Sequence, residues 1–96
     1  MGKPCPVILV VEDEAQMRRF LRTTLRAHDW QVGEAGTLRE GLAQAAGRNP
    51  DLTLLDLGLP DGDGLDLVRQ VRGTTVRPII VISARGQSTR KSPRSI

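Results

Sequence analysis

The chain has 96 residues, one cysteine, 39% apolar residues and a formal net charge of +3. That length suits one small domain, able to bury roughly 60–65% of its unfolded surface, and no stretch approaches the ~18–20 apolar residues that cross a bilayer. The positive balance does not mark the whole chain as a nucleic-acid binder. Residues 1–84 carry ten Lys/Arg against eleven Asp/Glu, a net of −1, whereas residues 85–96 carry four cations and no acid, a net of +4.

Met1-Gly2-Lys3-Pro4-Cys5-Pro6 leads into a strand-length apolar run with no cleavage pattern, so no signal peptide is expected. Cys5 has no intrachain partner, which fits a reducing, cytoplasmic setting. The first element is Val7-Ile8-Leu9-Val10-Val11, ending on Glu12-Asp13. Continuous Val/Ile/Leu runs suit strands covered on both faces of a parallel sheet. The period then turns helical. Met17, Phe20, Leu21, Thr24, Leu25 and His28 recur at i, i+3, i+4, i+7, i+8 and i+11, while Arg18, Arg22 and Arg26 form a row read as solvated surface. His28 is expected to make a contact at the helix end, because no second His or Cys cluster accompanies it.

Residues 30–35 alternate, which predicts an edge strand weakened locally by Gly33. Thr37-Leu38-Arg39-Glu40 is a capping box opening a second helix. Leu38, Leu42 and Ala45 form its apolar stripe, and Gly47 is expected to end it. Asn49-Pro50-Asp51 launches the apolar run 52–57, interrupted by Asp56. Asp63 is expected to cap a third helix with a stripe of Leu65, Val68 and Val71, closed by Gly73. Residues 79–82 give a fourth strand. The order is β-α-β-α-β-α-β, and right-handed crossovers then place helices on both faces of an open, doubly wound parallel sheet.

In such a sheet the carboxyl ends of the strands share one edge, where ligands bind. Glu12, Asp13 and Asp56 all fall where an apolar strand stops. Like charges gathered there disfavour one another and call for a cation. The plainer alternative is that each acid ends a strand and caps the next element. Asp61, Asp63 and Asp66 do not make a calcium loop, which needs Gly at its sixth position and Glu at its twelfth; Asp66 and Arg72 stand there instead. Neither the dinucleotide glycine fingerprint nor the phosphate-loop lysine follows the first strand.

Asp56-Leu57-Gly58-Leu59-Pro60-Asp61-Gly62-Asp63-Gly64, taken with Val10-Val11-Glu12-Asp13-Glu14 and Ile82-Ser83-Ala84, resembles the response-regulator receiver domain. The resemblance covers roughly residues 6–86 and is nearest the OmpR-type regulators and their KdpE branch. It implies a flavodoxin-like fold and a cytoplasmic two-component signalling role, that of a phosphoacceptor rather than an enzyme. By resemblance, Asp56 is the phosphoacceptor. Glu12, Asp13, Asp56 and the carbonyl of Gly58 hold Mg²⁺, Ser83 contacts the phosphoryl group, and Pro60 and Gly64 shape the loop. The implied partner is a sensor histidine kinase of the KdpD-like kind. The chemistry agrees, since phosphoryl transfer needs chiefly positioning and charge neutralisation. Mg²⁺ is satisfied by a few hard oxygens, and a serine hydroxyl can donate to a phosphoryl oxygen.

The pattern departs from the family after Ser83. Receivers continue with a fourth helix, a fifth strand ending in lysine and a fifth helix, but residues 84–96 show no apolar period. Lys91 stands too close to Ser83 to take the lysine's place, tyrosine is absent, and the DNA-binding domain of OmpR-type regulators is not expected in this chain. The expectation is an incomplete receiver at 6–84, lacking the fifth strand and last helices. A basic, disordered tail at 85–96 would follow, from an altered reading frame or a recruited segment. Signalling is then impaired. The alternatives are a nonfunctional remnant, or weak nucleic-acid or anionic-surface contacts through the tail. An uncovered strand at 79–82 is also expected to self-associate.

Overall fold

The computed structural model describes residues 5–73 and 75–82; Ser83 and the basic segment 85–96 lie outside the described residues. The element order is β1 (Val7–Val11), α1 (Ala15–Ala27), β2 (Gln31–Ala35), α2 (Leu38–Arg48), β3 (Leu52–Leu55), β4 (Gly58–Leu59), β5 (Gly62–Asp63), α3 (Gly64–Arg72) and β6 (Ile79–Val81). β2, β1, β3 and β6 form one parallel sheet in that spatial order. Consecutive strands thus start at the centre and step to opposite sides of β1, so the connecting helices fall on both faces.

Side chains alternate across a strand, and β1 supplies both cores. Ile8 and Val10 pack with Val32 and Leu54 against Leu21 and Leu25 of α1. Leu9 and Val11 pack with Ala35, Leu38, Leu55, Leu59 and Leu67 on the face that carries α2 and α3. Full burial of each such side chain stabilises the fold by roughly 1.5–3 kcal/mol. β1 is therefore the element whose loss empties both layers.

The helices differ from the sequence reading in instructive ways. α1 buries no residue completely. Its inward ridge is Met17, Leu21 and Leu25 at spacing four, and Phe20, expected in the stripe, lies on the flank with 62% of its surface exposed. At α2, Thr37 accepts from the Glu40 amide (3.1 Å) as a cap should. The Glu40 carboxylate, however, turns back to the Gly36 amide (2.9 Å) rather than to that of Thr37. Gly47 does not end the helix. It runs one residue further, and Asn49 takes the left-handed conformation (φ 47°, ψ 61°), a geometry asparagine tolerates among non-glycine residues.

In α3 the expected stripe is shifted. Leu65 is exposed, and the fully buried anchor is Leu67. The cause lies at Gly64, where an added Cβ would stand 2.9 Å from the carbonyl oxygen of Asp56 and 3.0 Å from Leu57 Cα. The helix thus starts pressed against backbone, and the inward positions become Gly64, Leu67, Val68 and Val71. Gly41 of α2 faces the same contact, since a Cβ there would meet Leu67 Cδ1 at 2.9 Å and Val11 Cγ1 at 3.0 Å.

The segment after β3, read as a loop, contains a two-residue antiparallel pairing, Gly58 with Asp63 and Leu59 with Gly62. Pro60 and Asp61 sit at its tip.

Candidate functional site

β1 and β3 are neighbours in register, Val11 beside Leu55, so the residues that follow them emerge side by side. The ladder continues one step past each strand. The Glu12 amide donates to the Ala35 carbonyl and the Asp56 amide to the Val11 carbonyl, both at 2.9 Å. Glu12 and Asp56 are 3% and 2% exposed, and Asp13 is half-buried. Each of the three offers a carboxylate oxygen, and these oxygens all lie within 4.8 Å of one another.

Local bonds orient the acids. A Glu12 carboxylate oxygen accepts from the Glu14 amide (3.0 Å), and Asp56 Oδ1 accepts from the Gly58 amide (3.2 Å). Two like charges at such separations repel by about 3–4 kcal/mol at an effective dielectric of 20. An all-oxygen set, largely out of water and converging on one point, fits a hard divalent cation such as Mg²⁺. Exposed surface acids would not need the strand ends to bring them together; these do.

Gly58 adjoins Asp56 on β4 and is exposed, Pro60 sits at the hairpin tip, and Gly64 provides the close approach of α3 described above. Of the site residues assigned by resemblance, Ser83 falls outside the described residues, as does Lys91, which was set aside as the family lysine. His28 makes the expected end contact, its Nδ1 lying 3.0 Å from the Thr24 carbonyl.

Two participants were not legible as such. Arg18, read as solvated surface, donates from Nη1 to the Glu12 carbonyl (2.7 Å) and pairs through Nε with Glu34 (3.3 Å). Arg22 pairs with the same carboxylate at 2.9 Å. The available signal was Glu34, which shares the parity of Val32 on β2 and so faces α1. A carboxylate there takes partners from arginines four apart. Asp61 is the second. Its two oxygens accept from the Leu38 (2.6 Å) and Arg39 (3.0 Å) amides, capping the start of α2 from across the site loop. Asp63, as expected, caps α3 by accepting from Leu65 (2.9 Å).

The amides of Arg39 and Leu38 favour the ionised form of Asp61 and lower its pKa below 3.8. Its contribution to stability is therefore present in full above 3.8 and is lost as pH falls through the lowered folded value. Asp61→Asn keeps one acceptor oxygen but removes the charge near the helix N-terminus. Urea unfolding should show the variant less stable than wild type at neutral pH, with the gap closing in acid. A gap of constant size across that range would mean that the ionised carboxylate is not what caps α2.

Comparison with known proteins agrees with this geometry. The sequence profile of the family described as "Response regulator receiver domain" matches residues 8–92. Over 84 residues the chain is 52% identical to the KDP operon transcriptional regulatory protein KdpE of Escherichia coli K12, covering 88% of this chain and 37% of that protein. The chain thus spans a little over a third of the curated relatives it matches. Among solved structures, the non-phosphorylated HemR receiver domain of Leptospira biflexa superposes with a TM-score of 0.77 at 32% identity, over 86% of this chain and 68% of that one. A complex of histidine kinase ThkA with response regulator TrrA matches with a TM-score of 0.77 at 29% identity, over 92% of this chain and 75% of that one. Among the described residues no helix is long and apolar enough to cross a membrane.

Proposed function

The chain belongs to the response regulator receiver domain family, and from that premise we propose that it accepts a phosphoryl group on Asp56 from a sensor histidine kinase. The observation that carries this reading is the convergence of Glu12, Asp13 and Asp56 at the carboxyl edge of β1 and β3. In the proposed step an Asp56 carboxylate oxygen attacks phosphorus. The bond from phosphorus to the donor's nitrogen breaks, and its electron pair leaves with that nitrogen. Asp56 thereby becomes an acyl phosphate.

Glu12, Asp13, Asp56 and the carbonyl of Gly58 would hold Mg²⁺. Bound there, the ion supplies positive charge to phosphoryl oxygens that would otherwise be repelled by the carboxylates. The Asp56 carboxylate is positioned by the Gly58 amide and by its own place at the end of β3. Ser83 is assigned by resemblance as the hydroxyl donor to another phosphoryl oxygen. The similarity to TrrA, solved with the kinase ThkA, supports a kinase as donor, and the similarity to KdpE supports a KdpD-like one in the cytoplasm. A second copy of the chain, paired along β6, is the other partner proposed.

Titration with Mg²⁺, followed by amide shifts of the full chain, tests the metal half of the proposal. Wild type should show saturable shifts at Glu12, Asp13, Asp56 and Gly58. Asp13→Ala, which removes one of three charged ligands, should weaken binding about tenfold or more. Equal affinity in the two proteins would remove Asp13 from the site.

A further inference from the structure

The last rung of the ladder between β1 and β2 is the Glu12 amide on the Ala35 carbonyl (2.9 Å). In a parallel pair with this register the next bond would run from the Thr37 amide to the Glu12 carbonyl. β2 has ended at Ala35 by then, and the Gly36 amide has turned to Glu40 (2.9 Å). Arg18 of α1 reaches the same carbonyl instead, donating from Nη1 at 2.7 Å. Its Nε is held by one Glu34 oxygen (3.3 Å), while Arg22 takes the other (2.9 Å). The turn after β2 is fitted to the guanidinium, since a Cβ on Gly36 would stand 3.2 Å from Arg18 Nη1. The Glu12 carbonyl belongs to the peptide that joins Glu12 to Asp13. That peptide is a rigid plane, and two of the three carboxylates of the site depart from its ends.

We propose that Arg18 is a positioning residue for a divalent cation at this site: anchored by Glu34, it fixes the peptide plane between Glu12 and Asp13 so that both carboxylates aim at the point that Asp56 reaches. The inference rests on the Mg²⁺ reading of the three acids and adds a residue outside them. Groups that orient metal ligands are typically worth roughly ten- to a hundredfold in affinity. Lysine would not serve in this place, because a single ammonium lacks the planar fork that meets two acceptors on different elements. The sign of the effect separates positioning from charge. A guanidinium beside the site repels a cation, so an arginine acting through its field alone would strengthen Mg²⁺ binding when removed. One that positions ligands weakens binding when removed.

The test is a Mg²⁺ titration of the full chain, followed by amide shifts at Asp13, Asp56 and Gly58. Arg18→Gln should weaken binding roughly tenfold, and Arg18→Lys should lose nearly as much although it keeps the charge. Arg22→Gln removes an equal charge and another bond to Glu34 but leaves the Glu12 carbonyl held, and should cost less affinity. In the metal-free protein the Glu12 carbonyl carbon and the Asp13 amide nitrogen should shift in both Arg18 variants, as the signature of the lost bond. Should Arg18→Gln fail to fold, Arg18→Lys carries the same comparison. Affinity unchanged or raised in the Arg18 variants would overturn the proposal. So would equal losses in Arg18→Gln and Arg22→Gln, which would mark a general loosening of α1 on β2. A wild-type chain with no saturable shifts would overturn the metal reading first, and this inference with it.

Discussion

Asp56→Asn is expected to abolish phosphorylation completely and to leave the fold intact. Asparagine keeps the shape of a side chain that is 2% exposed, and its Oδ1 can still accept from the Gly58 amide. It removes the carboxylate that attacks phosphorus, and amides are poor nucleophiles at oxygen. It also takes one of three negative charges out of a cluster spanning 4.8 Å, relieving repulsion of about 3 kcal/mol for each like-charged neighbour at an effective dielectric of 20. The variant should therefore melt no lower than wild type without metal, and gain less stability when Mg²⁺ is added. Incubation with a small phosphodonor and Mg²⁺, followed by intact mass, reads the chemistry directly. A phosphoryl adduct on the Asn variant would place the acceptor at another residue.

The acidic site was readable because the chain announces it twice. An apolar run stops on Glu12-Asp13 and another stops on Asp56, and parallel pairing of β1 with β3 then makes their convergence unavoidable. Strand identity followed from continuous Val/Ile/Leu runs for the same reason. What the chain did not announce depends on distance in space. Asp61 caps a helix that starts 23 residues earlier, a partnership that no local pattern encodes. Leu67 replaces Leu65 as the anchor of α3 because Gly64 lets that helix start against the Asp56 backbone, which sets its rotation. Arg18 looked like a solvated member of an arginine row until the parity of Glu34 on β2 turned that carboxylate toward α1. Asn49 rather than Gly47 ends α2, since a helix end is set by where the chain must turn into β3 and either residue type suits the turn.

Self-association through β6 is the second expected result, and its geometry follows from the ladder. β6 pairs with β3 in parallel, and the register sets Ile80 beside Leu54. The Pro78 carbonyl and the Ile82 amide also bond to β3. In such a ladder the amides and carbonyls of Ile79 and Val81 point away from it, and they have no partner among the described residues. Ile80 and Val81 are 48% and 47% exposed on opposite faces of the sheet. An edge with apolar side chains and no charge or proline inside it is a template for another strand. Two copies meeting antiparallel about Ile80 would bond Ile79 of each to Val81 of the other, and would cover side chains worth roughly 1.5–3 kcal/mol each on full burial. Sedimentation should show association that grows with concentration, and the Ile79 and Val81 amides should gain exchange protection in parallel. Ile80→Lys places a charge on an already half-exposed position, and should give a monomer whose two edge amides exchange quickly at every concentration. A wild-type monomer with slow exchange at Ile79 and Val81 would show that the edge is covered from within its own chain, and would end the case for pairing between copies.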